Sequence, residues 1–539
     1  MKKAIPSFAR VLLAFAVVFL PFTPSVLPQD SYMRFQDAPF LSFDDLRALS
    51  MDPTPKGTLK DRLEKFWKTP LISNEAYYNG ARPEPKASPE MGPYLRIATW
   101  NIEKSYHIPE AIEAFTSSEK FQRQIDPLKA PEGSKKWHTV MDQQQKLMGS
   151  DIIFLQEMDI GIKRSGYIDA PRELAKALNM NYAFAAEQLE VDPVMLGLED
   201  LYYDNKSPDK EATDYYRVDA AKEKGAFGVA VLSRYPIKKA ECFQLDYQAY
   251  HWYTMEKQKA GFLEISRRFG AKTVLKNEVT REMKVGGRIY FRVDLEVPGI
   301  PGNTLTLINI HLEIKCLPKA REQQMREILS YIRDIKNPVI VAGDFNAAPT
   351  DISATSLPRV IKRTAKNPTT WFAVGVNYLT PHGLIINSTR TVSNMTKNFQ
   401  DPLSKNISVV APNPVYGLFK EIEDFRFSDG GAFDFRGDKE RSVNGKHGKL
   451  SNSNQRDRKG FKTSFSVKRP IGPFGKYRLD WIFVKSVLKD PLADAGSYKL
   501  SPHFGETLEE MNTSLRQPIS DHHPSIAILP LEEPKIKKS

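Results

Sequence analysis

The chain has 539 residues, of which 41% are hydrophobic, and this composition excludes a disordered or collagen-like protein. Its formal net charge of +12 favours polyanionic partners, such as nucleic acid or anionic lipid, without choosing between them. The two cysteines, Cys242 and Cys316, are too few for a disulfide framework or a cysteine-based zinc site, and we expect both to be buried thiols.

The first 28 residues have the pattern of a secretory signal peptide. Lys2, Lys3 and Arg10 precede an apolar run at residues 11–20, and a proline-rich stretch follows. The run is shorter than the roughly 20 apolar residues that a membrane span requires, although an uncleaved signal anchor stays open. We therefore expect an exported protein that is periplasmic, envelope-associated or secreted.

Residues 29–93 are rich in proline and polar residues, and they predict an N-terminal extension with one short helix at Leu59 to Trp67. Strand and helix patterns then alternate through residues 94–531, and a charged tail occupies residues 532–539. One clear helix begins at Pro318 and stops before Asn337 and Pro338. The predicted strands are Leu95 to Trp100, Ile152 to Gln156, Gly228 to Leu232, Ile289 to Leu295, Leu305 to Ile310, Val339 to Ala342, Leu479 to Val484 and Ser525 to Leu529.

Two polar segments predict insertions, Glu190 to Lys224 and Leu357 to Tyr477. The second holds 21 Lys and Arg residues against 9 Asp and Glu residues, an excess of 12 positive charges that equals the net charge of the chain. Within it, we expect Arg436 to Arg469 to be a mobile loop, because it contains few apolar residues. The aromatic residues of the insertion at Leu357 to Tyr477 could stack on bases or anchor the insertion, and anchoring is favoured. They are Trp371, Phe372, Tyr378, Phe425, Phe427, Phe433 and Phe435.

Polar residues follow several of the predicted strands, where an open α/β sheet presents its ligand crevice. Asn101 and Glu157 end two apolar strands and offer the oxygen ligands that Mg²⁺ prefers. His311 follows a third strand and could donate a proton to a phosphate ester. Each of these residues, taken alone, is more often a turn, surface or structural residue.

The segment Gly343-Asp344-Phe345-Asn346 is more specific. Gly343 lets the backbone turn closely, while Asp344 and Asn346 point to the same side if the chain stays extended, which suits a carboxylate and an amide that position water. A simple Asx turn is the alternative. Farther on, Asp480 lies in an apolar strand, where a carboxylate is costly unless it is paired, and His522 is its candidate partner.

Taken together, the ordered segments resemble the endonuclease/exonuclease/phosphatase superfamily. They are WNI with Asn101, LQE with Glu157, NIHLE with His311, GDFN with Asp344 and Asn346, RLDWIF with Asp480, and SDHHP with Asp521 and His522. The resemblance runs from Leu95 to Leu529 and omits the insertion at residues 357–477. It implies an α+β fold, a four-layer α/β/β/α sandwich in which two mixed β-sheets are flanked by helices.

The resemblance also implies roles for the residues. Glu157 and Asn101 would hold a divalent metal, with Asp521 as a further carboxylate; Mg²⁺ is expected, and Mn²⁺ and Ca²⁺ stay open. Asp344 and Asn346 would position the attacking water. Asp480 would orient His522, and His311 would act as general acid.

These roles predict a metal-dependent phosphodiesterase. Nucleic acid is favoured over phospholipid as the substrate because of the basic insertion, and no obligate protein partner is evident. A sphingomyelinase-like phosphodiesterase, a phosphomonoesterase and a noncatalytic polyanion-binding envelope protein remain alternatives.

Overall fold

A computed structural model describes residues 32–89, 91–193, 196, 218–257, 282–349, 400–406, 412–435, 456–457, 460–471, 474–488, 498–500 and 504–532. The expected signal peptide, most of the insertion at Glu190 to Lys224 and much of the basic insertion lie outside these residues. None of the helices within them combines the length and the apolar character needed to cross a bilayer.

The described strands form two mixed sheets and three two-stranded ribbons. In chain order the strands are β1 (Phe35–Gln36), β2 (Leu71–Ser73), β3 (Lys86–Ser88), β4 (Gly92–Asn101), β5 (Ile152–Ile160), β6 (Asn181–Glu190), β7 (Ala226–Ser233), β8 (Ile237–Gln244), β9 (Lys284–Gly286), β10 (Ile289–Glu296), β11 (Thr304–His311), β12 (Val339–Asp344), β13 (Arg456–Asp457), β14 (Gly460–Phe461), β15 (Phe465–Ile471), β16 (Phe474–Tyr477), β17 (Asp480–Lys485), β18 (Val487–Leu488), β19 (Tyr498–Lys499), β20 (Phe504–Thr507) and β21 (Ser525–Pro530).

The larger sheet has the order β1-β2-β6-β7-β5-β4-β21-β20, with β3 paired to β4 and β9 paired to β6. The smaller sheet has the order β17-β12-β11-β10-β8. Each contains one parallel pair among antiparallel ones, β4 with β5 and β11 with β12. Because β2 pairs with β6 and β3 pairs with β4, the segment that we describe as an N-terminal extension contributes strands to the larger sheet.

Helices cover the outer faces of both sheets. Those in the described residues are α1 (Phe43–Met51), α2 (Gly57–Lys68), α3 (Glu75–Tyr78), α4 (Ile108–Thr116), α5 (Ser118–Gln124), α6 (Lys135–Met148), α7 (Ala170–Leu178), α8 (Trp252–Lys257), α9 (Pro318–Ile332), α10 (Tyr416–Asp424) and α11 (Glu509–Thr513). One apolar core lies between the two sheets, a second joins the larger sheet to its helices, and a third joins the smaller sheet to α9 and α10. The predicted four-layer α+β sandwich is confirmed.

Residues 412–435 of the basic insertion are anchored to the smaller sheet. Phe425, Phe427 and Phe433 are buried in the core beneath α9 and α10, which confirms the anchoring interpretation for these rings. Trp371, Phe372 and Tyr378 lie outside the described residues. Most of the expected mobile loop at Arg436 to Arg469 does too. Where it is described the prediction was wrong, because β13 pairs with β14 and, from Phe465 onward, the backbone pairs with β16.

All eight predicted strands are present, and the predicted helices correspond to α2 and α9. Proline at the first turn of α9 and a buried face that contains Met325, Ile328 and Ile332 account for this helix. Both cysteines are buried, as expected. Of the strands in the two sheets, β1, β2, β3, β6, β8, β9 and β20 were not predicted.

Candidate active site

The ends of six strands from both sheets meet at one edge of the sandwich. Asn101 ends β4, His311 ends β11 and Asp344 ends β12, while β17 starts at Asp480 beside Asp344. His522 lies just before β21, and Glu157 lies in β5. The structure therefore brings the sequence-predicted residues together.

His522 and Asp480 form a buried hydrogen-bonded pair. The distance from His522 Nδ1 to Asp480 Oδ2 is 2.9 Å, and His522 Nε2 lies 3.8 Å from Asp344 Oδ2. Burial disfavours the imidazolium, but the carboxylates of Asp480 and Asp344 hold the pKa of His522 well above its ordinary value. The raised pKa favours the protonated form of His522, and its Nε2 faces Asp344.

His311 has a matching arrangement with an acid that the sequence analysis missed. Its Nδ1 lies 2.8 Å from Glu187 Oε2, and its Nε2 lies 4.0 Å from Asp344 Oδ2. Burial opposes ionisation of Glu187, but His311 and Arg288 lower its pKa, so the carboxylate is ionised beside His311 Nδ1. Arg288 Nη1 lies 3.1 and 3.2 Å from the two Glu187 oxygens and 2.7 Å from His311 Nδ1.

Asp344 is the point at which the two pairs converge. Its pKa is raised, first by burial and then by the neighbouring charge of Asp480, while His522 and His311 act in the opposite direction. Asn346 N donates to Asp344 Oδ1 at 2.8 Å, which is the Asx turn that the sequence left open. Asn346 Nδ2 donates to Leu312 O at 3.0 Å, so this amide also fixes the loop after β11.

Gly343 makes the close approach of β12 to β11 possible. Its φ is +142°, and a Cβ atom at this position would lie 1.9 Å from the carbonyl oxygen of Ile310. A side chain at residue 343 would therefore separate the strands that carry His311 and Asp344.

Two β-bulges place the acids of the larger sheet. In β5, Gln156 and Glu157 together occupy the gap between the pairs that Leu155 and Met158 make with β7. In β6, the pairing with β7 shifts by one residue at Glu187. Because a bulge re-aims the side chain that it carries, both carboxylates reach the site from strands that flank β7.

Both carboxylate oxygens of Glu157 have hydrogen-bond partners. Asn101 Nδ2 lies 3.2 Å from Glu157 Oε1 and 3.1 Å from Asp344 Oδ2, and Lys104 N donates to Glu157 Oε2 at 3.1 Å. Burial raises the pKa of Glu157, but the positive charges of His311, Lys104 and His522 outweigh it and hold this pKa below its usual value. Glu157 is therefore ionised and available as a ligand.

Asp521 adds a carboxylate to the same region. Its backbone N donates to Glu103 Oε2 at 3.0 Å, which brings a second acid that the sequence analysis missed. Burial and then the charges of Glu103, Glu157 and Asp344 raise the pKa of Asp521 well above its ordinary value. This crowding of oxygen donors fits a hard divalent cation, whose charge would relieve the repulsion.

One ligand atom each of Asp344, Asp480 and His522 also lies within 4.8 Å of the other two. This set is a weaker fit for a metal ion, because Asp480 and His522 already satisfy one another with a hydrogen bond. Glu157 and Asp521, with Asn101, are the residues that the family resemblance implies would hold the cation, and Asn101 Nδ2 lies 3.2 Å from Glu157 Oε1. Such an ion would polarise a phosphoryl oxygen and offset the charge that develops on it.

Residues 464–466, which lie before β17, pack against the Asp480–His522 pair. Ser464 Oγ accepts hydrogen bonds from the backbone N of both Leu479 and Asp480, each at 3.0 Å. Ser466 N donates to Asp521 O at 2.9 Å, and the ring of Phe465 lies 4.9 Å from that of His522, edge to face. The end of the basic insertion is thus attached directly to the site.

Comparison with known proteins identifies one family. The model of the Endonuclease/Exonuclease/phosphatase family matches residues 98–522. No curated protein matches the chain. The chain is similar to the endonuclease/exonuclease/phosphatase of Beutenbergia cavernae DSM 12333, with 15% identity, coverage of 81% of this chain and 72% of that one, and a TM-score of 0.33.

Two further structures are similar to the chain. One is the human Nocturnin catalytic domain with bound sulfate, with 13% identity, coverage of 82% of this chain and 95% of that one, and a TM-score of 0.32. The other is ANGEL2, described as a 2',3'-cyclic phosphatase, with 10% identity, coverage of 84% and 99%, and a TM-score of 0.34. Because the family model spans most of its length, the chain belongs to the endonuclease/exonuclease/phosphatase family and is a hydrolase of phosphate esters.

Proposed function

We propose that this protein is a Mg²⁺-dependent phosphodiesterase that cleaves nucleic acid outside the cytoplasm. The observation that carries the proposal is the convergence of His311 Nε2 and His522 Nε2 on Asp344 Oδ2, at 4.0 and 3.8 Å. Two imidazoles, each held through Nδ1 by a buried carboxylate, suit an ester that needs charge stabilised on one oxygen and a proton delivered to another.

The electrostatics support Asp344 as the proton acceptor. His522 already holds a proton at neutral pH, because Asp480 and Asp344 raise its pKa, so it acts as a donor to a phosphoryl oxygen. Asp344 is the acceptor nearest to it, and the raised pKa of Asp344 makes it a stronger base than an ordinary carboxylate. Asp344 therefore takes the proton of the attacking water, and His311 protonates the leaving oxygen.

Nucleic acid is the favoured substrate class because the formal excess of positive charge lies in the insertion whose described end contacts the site. Residues 357–477 hold an excess of 12 positive charges, and the end of this segment contacts His522 through Phe465. A positive segment attached to the catalytic histidine would bind the repeated phosphates of a polynucleotide. Action outside the cytoplasm rests on the signal-peptide pattern at residues 1–28.

Cleavage assays on the purified protein test the proposal. The substrates are plasmid DNA, sphingomyelin and an aryl phosphodiester, each with Mg²⁺ or with EDTA. We expect EDTA-sensitive cleavage of DNA and of the aryl ester, which is lost in His522→Ala and kept in His138→Ala, a change at an exposed histidine on α6. Cleavage of sphingomyelin alone would replace nucleic acid with phospholipid, and no cleavage of any of the three would refute the proposed function.

A further inference from the structure

Three consecutive residues between β4 and α4 have an unusual backbone conformation. Glu103, Lys104 and Ser105 have φ angles of +45°, +54° and +55°, in the left-handed region that non-glycine residues disfavour. Glu157, in the bulge of β5, has a φ of +59°. Conformations of this kind persist only where the surrounding structure holds them.

The turn at residues 103–105 holds the Glu157 bulge directly. Lys104 N donates to Glu157 Oε2 at 3.1 Å, and Ser105 Oγ donates to Glu157 O at 3.3 Å. Asp159 N in turn donates to Ser105 Oγ at 3.0 Å. The turn at residues 103–105 thus fixes both the backbone and the carboxylate of Glu157.

A chain of side chains with alternating charge links the turn to the far side of the bulge. Lys104 Nζ pairs with Glu282, whose other carboxylate oxygen lies 2.7 Å from Lys284 Nζ. Lys284 Nζ and Arg164 Nη1 lie 3.2 and 2.7 Å from Glu190 Oε1, and Arg164 Nη2 lies 2.7 Å from Asp159 Oδ1. We name this set the charge ring; it consists, in order, of Lys104, Glu282, Lys284, Glu190, Arg164 and Asp159.

Both ends of the charge ring lie next to the Glu157 bulge. Lys104 holds the Glu157 carboxylate through its backbone N, and Asp159 lies two residues beyond Glu157 in the same strand. Its side chains are shielded from water, from fully buried at Asp159 to 24% exposed at Lys104. Removal of one charge would therefore leave its neighbours uncompensated, and the remaining ring would rearrange.

We propose that Lys104 and Glu282 are positioning residues that hold the Glu157 carboxylate in place for the divalent cation. Their ion pair fixes the Lys104 side chain and thereby the left-handed turn whose backbone N binds Glu157 Oε2. The inference rests on the proposed function in that Glu157 is taken as a metal ligand. Neither residue touches the substrate; both act through Glu157.

The test is the affinity of the full-length protein for Mn²⁺, measured without substrate by titration calorimetry. Glu282→Gln and Lys104→Met each remove one charge at nearly constant size, and we expect each to weaken Mn²⁺ binding about 10-fold or more. The double variant should bind no more weakly than either single variant, because the pair acts as a unit. Lys104→Arg retains the charge and should retain most of the affinity.

Two reference variants separate a failure of the positioning role from a failure of the metal assignment. Glu296→Gln breaks a half-exposed ion pair with Lys238 on the smaller sheet and should leave Mn²⁺ affinity unchanged. Glu157→Gln should lose Mn²⁺ binding; if it binds normally, the metal assignment in the proposed function fails and this inference fails with it.

If Glu157→Gln loses binding while folded Glu282→Gln and Lys104→Met bind Mn²⁺ as wild type does, only the positioning role is overturned. Thermal unfolding of the metal-free proteins identifies the folded variants. If Glu282→Gln does not fold, the comparison of Lys104→Met with Lys104→Arg decides.

Discussion

His311 and His522 are directed at the same carboxylate oxygen, because their Nε2 atoms lie 4.0 and 3.8 Å from Asp344 Oδ2. They come from different sheets, since His311 ends β11 in the smaller sheet and His522 precedes β21 in the larger one. The site therefore exists only where the two sheets are packed together. Substitution of each histidine and of the buried acid that contacts it, Asp480 for His522 and Glu187 for His311, tests the two pairs separately.

The Asp480–His522 pair should control the pH dependence of catalysis. Asp480 holds the pKa of His522 up, so Asp480→Asn should lower that pKa and shift the loss of activity at high pH to lower pH. His522→Ala should reduce kcat about 10³-fold and abolish that limb. The measurement is kcat against pH on an aryl phosphodiester. An unshifted profile in Asp480→Asn would show that the His522 proton is not used.

The Glu187–His311 pair should behave as one functional unit. Glu187→Gln keeps the shape of the side chain but removes the charge that holds His311 Nδ1 at 2.8 Å, and we expect kcat to fall about 10- to 100-fold. His311→Ala should cost more, and Glu187→Gln should add little to it. If the two effects simply multiply in the double variant, Glu187 acts independently of His311.

The sequence predicted the strands that end in functional residues, because long apolar runs and their polar ends are both local signals. It did not predict β6, and Glu187 was missed with it, although an acid within the apolar stretch of residues 183–189 is the signal that identified Asp480. The bulges at Glu157 and Glu187 depend on pairing with β7, a contact between distant segments. Arg288 and Glu103 carry no local pattern that separates them from surface charges.

Gly343 should be far more sensitive to substitution than a glycine in open space. Gly343→Ala would place its Cβ 1.9 Å from Ile310 O, a backbone atom of β11, and we expect a loss of more than about 3 kcal/mol in the free energy of unfolding. The matched control is Gly430→Ala, where φ is +82° and no atom lies within 4 Å of the Cβ. That variant should lose about 1 kcal/mol from backbone strain alone. Similar losses in denaturant unfolding would contradict the steric argument.

Glu223 should make the protein less stable as the pH rises. Burial raises its pKa from 4.5 to about 7, with Glu190 adding to the rise and a hydrogen bond from Gly225 N opposing it. Below pH 4.5 the carboxyl group is protonated in both states, so it costs nothing. Between pH 4.5 and 7 the unfolded chain ionises while the folded one does not, which favours unfolding.

Glu223→Gln removes this titration and retains an oxygen that can accept the hydrogen bond from Gly225 N, which is 3.0 Å from Glu223 Oε1. The variant should be as stable as wild type at pH 4 and more stable by about 3 kcal/mol at pH 8. Denaturant unfolding at the two pH values measures the difference, and Glu119→Gln on an exposed face of α5 is the control. A gain of the same size at both pH values would trace the effect to packing, since only an ionising carboxylate makes the gain grow between pH 4.5 and 7.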